Sequence, residues 1–135
     1  MKKSQVSQEY LIIVGFVAVL TIPLLLVYYT YSTETSDRIR AEQIGHVAKK
    51  IADAADSVYY LGEPSQTTIK VYIPERIAEA SVNGREIVFK VRIGTSVSDI
   101  VQISSANMTG TLPASQGLYY IKIKAREDDV EISYK

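Results

Sequence analysis

Few residues of this chain combine the types and spacing that catalysis or metal binding requires. The sequence has no cysteine, which excludes disulfides, thiolate zinc sites and thiol nucleophiles. Its single histidine, His46, cannot by itself form a convincing metal site. The chain also lacks a nucleophile elbow and a Gly-rich phosphate loop. We therefore expect that the protein is not an enzyme, and that it has no cofactor and no bound metal.

Four carboxylates cluster near the C-terminus and could bind a cation weakly. They are Glu127, Asp128, Asp129 and Glu131. The cluster lies where one alternating apolar pattern ends and the next begins, so a turn beside a solvated strand edge is the better interpretation.

The motif Asn107-Met108-Thr109 is a glycosylation sequon, and it lies between turns rich in Gly, Ser and Ala. Such sequons also arise by chance. The motif predicts N-glycosylation of Asn107 only if this region is exported, which would make the protein a glycoprotein.

Length and charge set limits on size and partners. The chain has 135 residues, with 15 basic and 15 acidic side chains, so its net charge at neutral pH is zero. A chain of this length forms about one ordinary domain. Because no basic excess is available to bind a phosphate backbone, we expect no nucleic-acid partner.

The N-terminal region is dominated by a long apolar segment, Tyr10 to Tyr31, and no charged residue lies between Glu9 and Glu34. As a helix this segment would rise roughly 33 Å, enough to cross the hydrocarbon core of a bilayer. Lys2 and Lys3 precede it, which favours a cytoplasmic N-terminus and an external remainder. Hydropathy alone favours a plain single-pass membrane anchor.

The residues just before the apolar segment add a processing motif. Gln5, Ser7 and Glu9 form a Gln-x-Ser-x-Glu pattern after the two lysines. This arrangement resembles the class III signal peptide of archaeal type IV pilin precursors, including adhesion pilins. Ser4 stands where that family more often has glycine or alanine.

The resemblance implies a function and a set of partners. A prepilin peptidase would cut between Ser4 and Gln5, and the freed apolar helix would pack with other pilin subunits in a homo-oligomeric filament. Glu9 would pair with the new α-amino group of a neighbouring subunit. The assembly ATPase and platform machinery of the pilus would complete the partners, and the filament would serve surface adhesion outside the cell.

Three alternatives remain open at this stage. Glu9 could simply occupy a first helical turn, where the helix dipole favours an anion. The chain could be a membrane-anchored, extracellular β binding module that does not polymerise. It could also be a pseudopilin-like or archaellin-like subunit of a secretion or motility machine.

A second helical pattern follows from Ser36 to Leu61, and it is amphipathic. Its apolar stripe steps by three and four residues, widened by Ile39, Ala48, Ala52 and Tyr59, while charged residues from Asp37 to Asp56 occupy the opposite face. The stripe consists of Ile44, Val47, Ile51, Ala55 and Val58. The polar stretch Thr30 to Ser36 predicts a bend or break, and Gly62-Glu63-Pro64 predicts the helix end.

From Thr67 onward the apolar period changes to two, which indicates short strands. Ile77 to Val82 and Glu86 to Ile93 flank Asn83-Gly84, which predicts a hairpin with a type I′ turn. Further strands are expected at 69–73, 100–104, 118–125 and 130–134. The predicted fold is α+β: a long hydrophobic N-terminal helix continues into an amphipathic helix, which packs on a C-terminal antiparallel sheet or small β-sandwich.

These patterns divide the chain into four parts. By the resemblance, residues 1–4 are the cleavable leader and 5–33 the transmembrane and assembly helix; residues 34–62 are the amphipathic helix and 65–135 the extracellular β-rich head. We expect the precursor in the cell membrane and the assembled subunit in an extracellular pilus.

Overall fold

The α+β fold predicted from the sequence is confirmed. A computed structural model describes the backbone of residues 2–135 and the side chains of residues 5–135. Within that part the chain forms one helix, α1 (Lys2–Leu61), and a five-stranded sheet. The strands are β1 (Gln66–Ile73), β2 (Ile77–Ile93), β3 (Ser96–Gly110), β4 (Gly117–Ala125) and β5 (Val130–Tyr134). The chain divides into two compact units, residues 1–36 and residues 37–135.

The helix is continuous where the sequence suggested a bend or break. It runs through Pro23 and through the polar stretch Thr30 to Ser36. Hydroxyl groups in that stretch bond back to carbonyls of the preceding turn: Thr30 Oγ1 donates to Leu26 O at 3.0 Å, and Ser36 Oγ donates to Ser32 O at 3.0 Å. The helical backbone continues through these residues, so the predicted break is wrong.

The helix ends at Leu61, directly before the predicted glycine. Gly62 has φ +71°, a left-handed conformation that glycine adopts without a side-chain clash. Its N–H donates to the carbonyl of Val58 at 3.1 Å and so caps the last turn. This cap directs the chain from α1 towards the start of β1.

The sheet has the strand order β1-β4-β5-β3-β2. Three of its four strand pairs are antiparallel, as predicted, but β3 and β5 pair in parallel over three residues. Gly110 lies in this parallel pair with φ +128°, and a Cβ at this position would lie 1.9 Å from the carbonyl oxygen of Ile132. The expectation of a purely antiparallel sheet is therefore wrong at this pair, where glycine permits the close approach.

Strand β2 folds back on itself near Gly84, as the hairpin prediction requires. Arg92 N donates to Arg76 O at 2.9 Å, and Lys90 Nζ lies 2.6 Å from Glu79 Oε2. A straight strand of 17 residues would span roughly 55 Å, so these contacts need a turn between the two halves. Gly84 has φ +61°, whereas Asn83 is not among the residues with positive φ. Because a type I′ turn needs positive φ at both central positions, that turn type is wrong.

The core lies between one face of the sheet and the amphipathic part of α1. Ile44, Ile51, Ala55 and Val58 of the predicted stripe are buried, and Val47 packs beside them half-buried. Their partners in the sheet are alternate strand residues, including Ile73, Ile87, Phe89, Val91, Ile121, Ile123 and Ile132. Ile39 and Tyr59 remain exposed, so the stripe is narrower than predicted because α1 contacts the sheet along one face only.

Candidate functional site

The largest exposed apolar surface of the molecule is the first unit. Every large apolar side chain from Val6 to Tyr31 exposes between 47% and 72% of its surface. The helix is long and apolar enough to cross a membrane, and its most apolar part is not buried within the protein. It is therefore a candidate transmembrane helix, since exposed apolar surface of this extent needs lipid or other apolar helices to cover it.

The residues of the processing motif lie at the start of the same helix. Gln5 and Glu9 are four positions apart on α1, so they lie on one side of the helix, whereas Ser7 lies elsewhere on its circumference. All three are exposed. The side chain of Ser4, the other half of the predicted cleavage site, lies outside the described side chains. Cleavage between Ser4 and Gln5 stays a prediction.

Glu9 is the one acidic residue in the sequence before Glu34. Within residues 5–135 its carboxylate takes part in no ion pair, and the next acidic residue, Glu34, lies beyond the apolar segment. A carboxylate next to such a surface is unfavourable once water is removed, unless a cation or several hydrogen-bond donors meet it.

The acidic cluster near the C-terminus does not converge on one point. Asp129 Oδ2 accepts a hydrogen bond from Thr109 Oγ1 at 2.9 Å, while Glu131 pairs with Arg126 at 2.7 Å. The hydrogen bond from Arg126 and its positive charge hold the pKa of Glu131 below its usual value, and Lys124 and Lys122 add to the effect. Among the described residues, no group of three or more acidic or histidine side chains could hold a metal ion.

Asn107 lies within a strand, which differs from its predicted position between turns. It belongs to β3 and is exposed, while the next residue, Met108, is 1% exposed and paired with Gly84 of β2 and Val130 of β5. An exposed strand side chain can carry a glycan without disturbing the core. Glycosylation of Asn107 stays a prediction.

Two aspartates of α1 fix the helix to the sheet, and sequence reasoning placed both among the solvated charges. Asp37 is 8% exposed and accepts hydrogen bonds from Arg40 Nη1 at 2.9 Å, Arg76 Nη1 at 3.1 Å and Gly94 N at 3.1 Å. It thereby connects the helix to the β1–β2 and β2–β3 turns. The sequence does not predict this role of Asp37, because one of its donors is a backbone N–H, a group that almost every residue type carries.

Asp56 performs the same task near the other end of the amphipathic part of α1. Its Oδ1 accepts from Ser104 Oγ at 2.5 Å, Ser105 N at 2.8 Å and Ala106 N at 3.3 Å, all on β3. Asp37 and Asp56 are thus positioning residues of the second unit, and their geometry indicates no chemistry of their own.

No protein-family model, curated protein or solved structure matches this chain. The function proposed below therefore depends on the processing motif, the exposed helix and the fold of the second unit.

Proposed function

We propose that this chain is the precursor of a pilin, a structural subunit of an archaeal type IV-like pilus. In this proposal a prepilin peptidase removes residues 1–4 on the cytoplasmic side. The processed subunit then remains in the membrane with its β-rich part outside until it polymerises through its N-terminal helix. The observation that carries the proposal is the exposed apolar segment of α1, Tyr10 to Tyr31, which directly follows the motif Gln5-x-Ser7-x-Glu9.

The energetics of the helix support a role in assembly. Covering an apolar side chain of this size is worth about 1.5–3 kcal/mol, so the whole segment represents tens of kcal/mol. Such a helix leaves the bilayer only when other apolar helices replace the lipid, as in the core of a filament. Since each subunit offers the same apolar surface, identical subunits can satisfy one another.

Glu9 supplies the specificity that apolar packing lacks. Removing the leader creates an α-amino group at Gln5, and in a staggered bundle of helices that group can approach the Glu9 carboxylate of a neighbour. An unpaired carboxylate in this environment would cost several kcal/mol, so the pair would favour one register between subunits. This role rests on the family resemblance and on the lone position of Glu9.

The proposal also includes the predicted partners, the role in adhesion and the glycan. The assembly ATPase and platform proteins of the pilus would be partners, surface adhesion would be the role of the filament, and Asn107 would carry a glycan on the exported part. Asn107 lies on the exposed side of β3, where a glycan would face away from the core.

The decisive experiment measures the N-terminus and the assembly of the native protein. In an archaeal host that assembles pili, the intact mass of surface material should correspond to a chain that begins at Gln5. Glu9→Ala should leave the protein in the membrane but reduce filaments seen by electron microscopy. Glu34→Gln is the matched control, because it removes the next acid along the helix, outside the apolar segment.

Three results would contradict different parts of the proposal. A surface protein that retains residues 1–4 would favour a single-pass anchor that displays a β binding module. Normal filaments in the Glu9→Ala strain would leave the pilin assignment intact but remove the pairing role of Glu9. If the peptide that contains Asn107 has its unmodified mass in native material, the predicted glycosylation is wrong.

A further inference from the structure

A short polar segment of α1, residues 30–36, joins the apolar segment to the part of the helix that packs on the sheet. Five of its seven residues are serine or threonine, and one is Glu34. All seven are exposed, whereas the next residue, Asp37, is the first buried one of α1 within the described side chains. The boundary between the two compact units also falls directly after Ser36.

Hydroxyl groups of the polar segment donate to carbonyls of their own helix. Besides the bonds of Thr30 and Ser36 described above, Thr33 Oγ1 lies 3.3 Å from Tyr29 O and 2.8 Å from Thr30 O. Such bonds slightly destabilise a helix and often bend it. Serine and threonine also have a lower helix propensity than alanine. The polar segment is therefore an intrinsically weak part of α1.

The rest of α1 has sources of stability that the polar segment does not share. The apolar segment before it can be covered by lipid or by other apolar helices. The helix after it is held to the sheet by the buried stripe around Ile51 and by the hydrogen bonds of Asp37. Hydroxyl groups gain nothing from lipid, and a helix of only seven residues is not stable by itself in water. Local unfolding of α1 should thus cost least in this segment.

We propose that residues 30–36 form a hinge, which opens by local unfolding while the helix on both sides stays intact. Asp37 marks its end, because the three donors to that carboxylate fix the next turn of α1 to the sheet. The hinge itself depends only on the described residues, whereas its use rests on the function proposed above. In that setting it would let the two units reorient as a subunit is transferred from the membrane into a filament.

The test is hydrogen exchange of the full chain in detergent micelles, measured by NMR. The amides of residues 33–36 should exchange at least about tenfold faster than those of residues 44–58. The combined substitution Thr30→Ala, Thr33→Ala and Ser36→Ala should slow exchange at 33–36 by roughly tenfold, since each change raises helix propensity. Thr33→Gly should have the opposite sign and speed it by about twofold.

Ser57→Ala is the matched control. Ser57 Oγ also donates to the carbonyl four residues before it, Asp53 O at 2.8 Å, but it lies in the part of α1 that packs on the sheet. Because it is distant from the hinge, this change should alter exchange at 33–36 by less than about twofold. Exchange at 33–36 as slow as at 44–58 would overturn the hinge, and so would equal effects of the triple and control variants.

A second measurement examines the use of the hinge in assembly. In an archaeal host that assembles pili, the triple alanine variant should reach the membrane and begin at Gln5, but electron microscopy should show fewer filaments. Normal filament numbers would overturn the role in assembly. If the unmodified chain forms no filaments, the pilin assignment fails, and the exchange measurements still decide whether the hinge exists.

Discussion

Removal of the Asp37 carboxylate should destabilise the second unit more than its sequence position suggests. Asp37→Ala deprives three donors of their acceptor: the Arg40 and Arg76 guanidinium groups and the Gly94 N–H. Arg76 adopts φ +70°, the one positive value at a non-glycine position among the described residues. The carboxylate therefore holds both an unusual backbone conformation and the tight β2–β3 turn.

The magnitude follows from the exposure of each partner. The unpaired Gly94 N–H should cost about 1 kcal/mol, and the Arg40 pair, whose side chains are 24% and 10% exposed, about 1–2 kcal/mol. Arg76 is 49% exposed, so solvent screening limits its share to a few tenths of a kcal/mol. The total of about 2–3 kcal/mol corresponds to a decrease in Tm of roughly 8–20 °C for a unit of this size.

The assay follows thermal unfolding of the full chain in detergent by the near-ultraviolet circular dichroism of its tyrosines, together with hydrogen exchange at residues 93–96. The Gly94 amide should exchange faster in Asp37→Ala. Glu42→Gln is the control, because Glu42 and Arg38 form an exposed pair with side chains 63% and 83% accessible. If Asp37→Ala unfolds within about 0.5 kcal/mol of that control and leaves Gly94 exchange unchanged, the reasoning is refuted.

Two further substitutions test local geometry. Gly110→Ala should abolish folding or lower the Tm even more than Asp37→Ala, because the new Cβ would meet Ile132 O; Gly45→Ala, with open space around it, should have no such effect on thermal unfolding. Arg126→Gln should raise the pKa of Glu131 towards its usual range in an NMR titration, because the carboxylate loses a hydrogen bond and a neighbouring positive charge. Since that pKa is lowered in the folded state, the pair stabilises the fold above the usual carboxyl pKa and loses this effect as the pH falls through the lowered value. An unchanged pKa of Glu131 would contradict the assignment.

Periodicity explains what the sequence could predict. The apolar segment, the amphipathic stripe around Ile51 and the alternation in β4 and β5 each repeat over several residues, and each produced the expected element. The predicted strand at 100–104 was too short, because β3 extends from Ser96 to Gly110 through small polar residues typical of loops. Ser104 and Ala106 are small where α1 passes over them, and burial overrides their weak strand propensity.

Contacts between distant parts of the chain explain what the sequence could not predict. The parallel pairing of β3 with β5 depends on Gly110 accepting a close approach by Ile132, which no local pattern records. Asp37 and Asp56 look like ordinary charges on a helix surface, since their partners, apart from Arg40, lie 39 to 57 residues away and include backbone N–H groups.

Lys50 Nζ on α1 donates a hydrogen bond at 3.0 Å to the carbonyl of Lys70 on β1, an edge strand of the sheet, and this bond has a consequence for crowded subunits. An unprotected edge strand is a template on which another chain can add its own strand, and this leads to aggregation. Here an ammonium group occupies one of the carbonyls of β1, places a charge beside the edge, and makes strand addition there unfavourable. Subunits held at the high local density that the proposed filament requires could therefore remain separate at this edge, and association would be left to their helices.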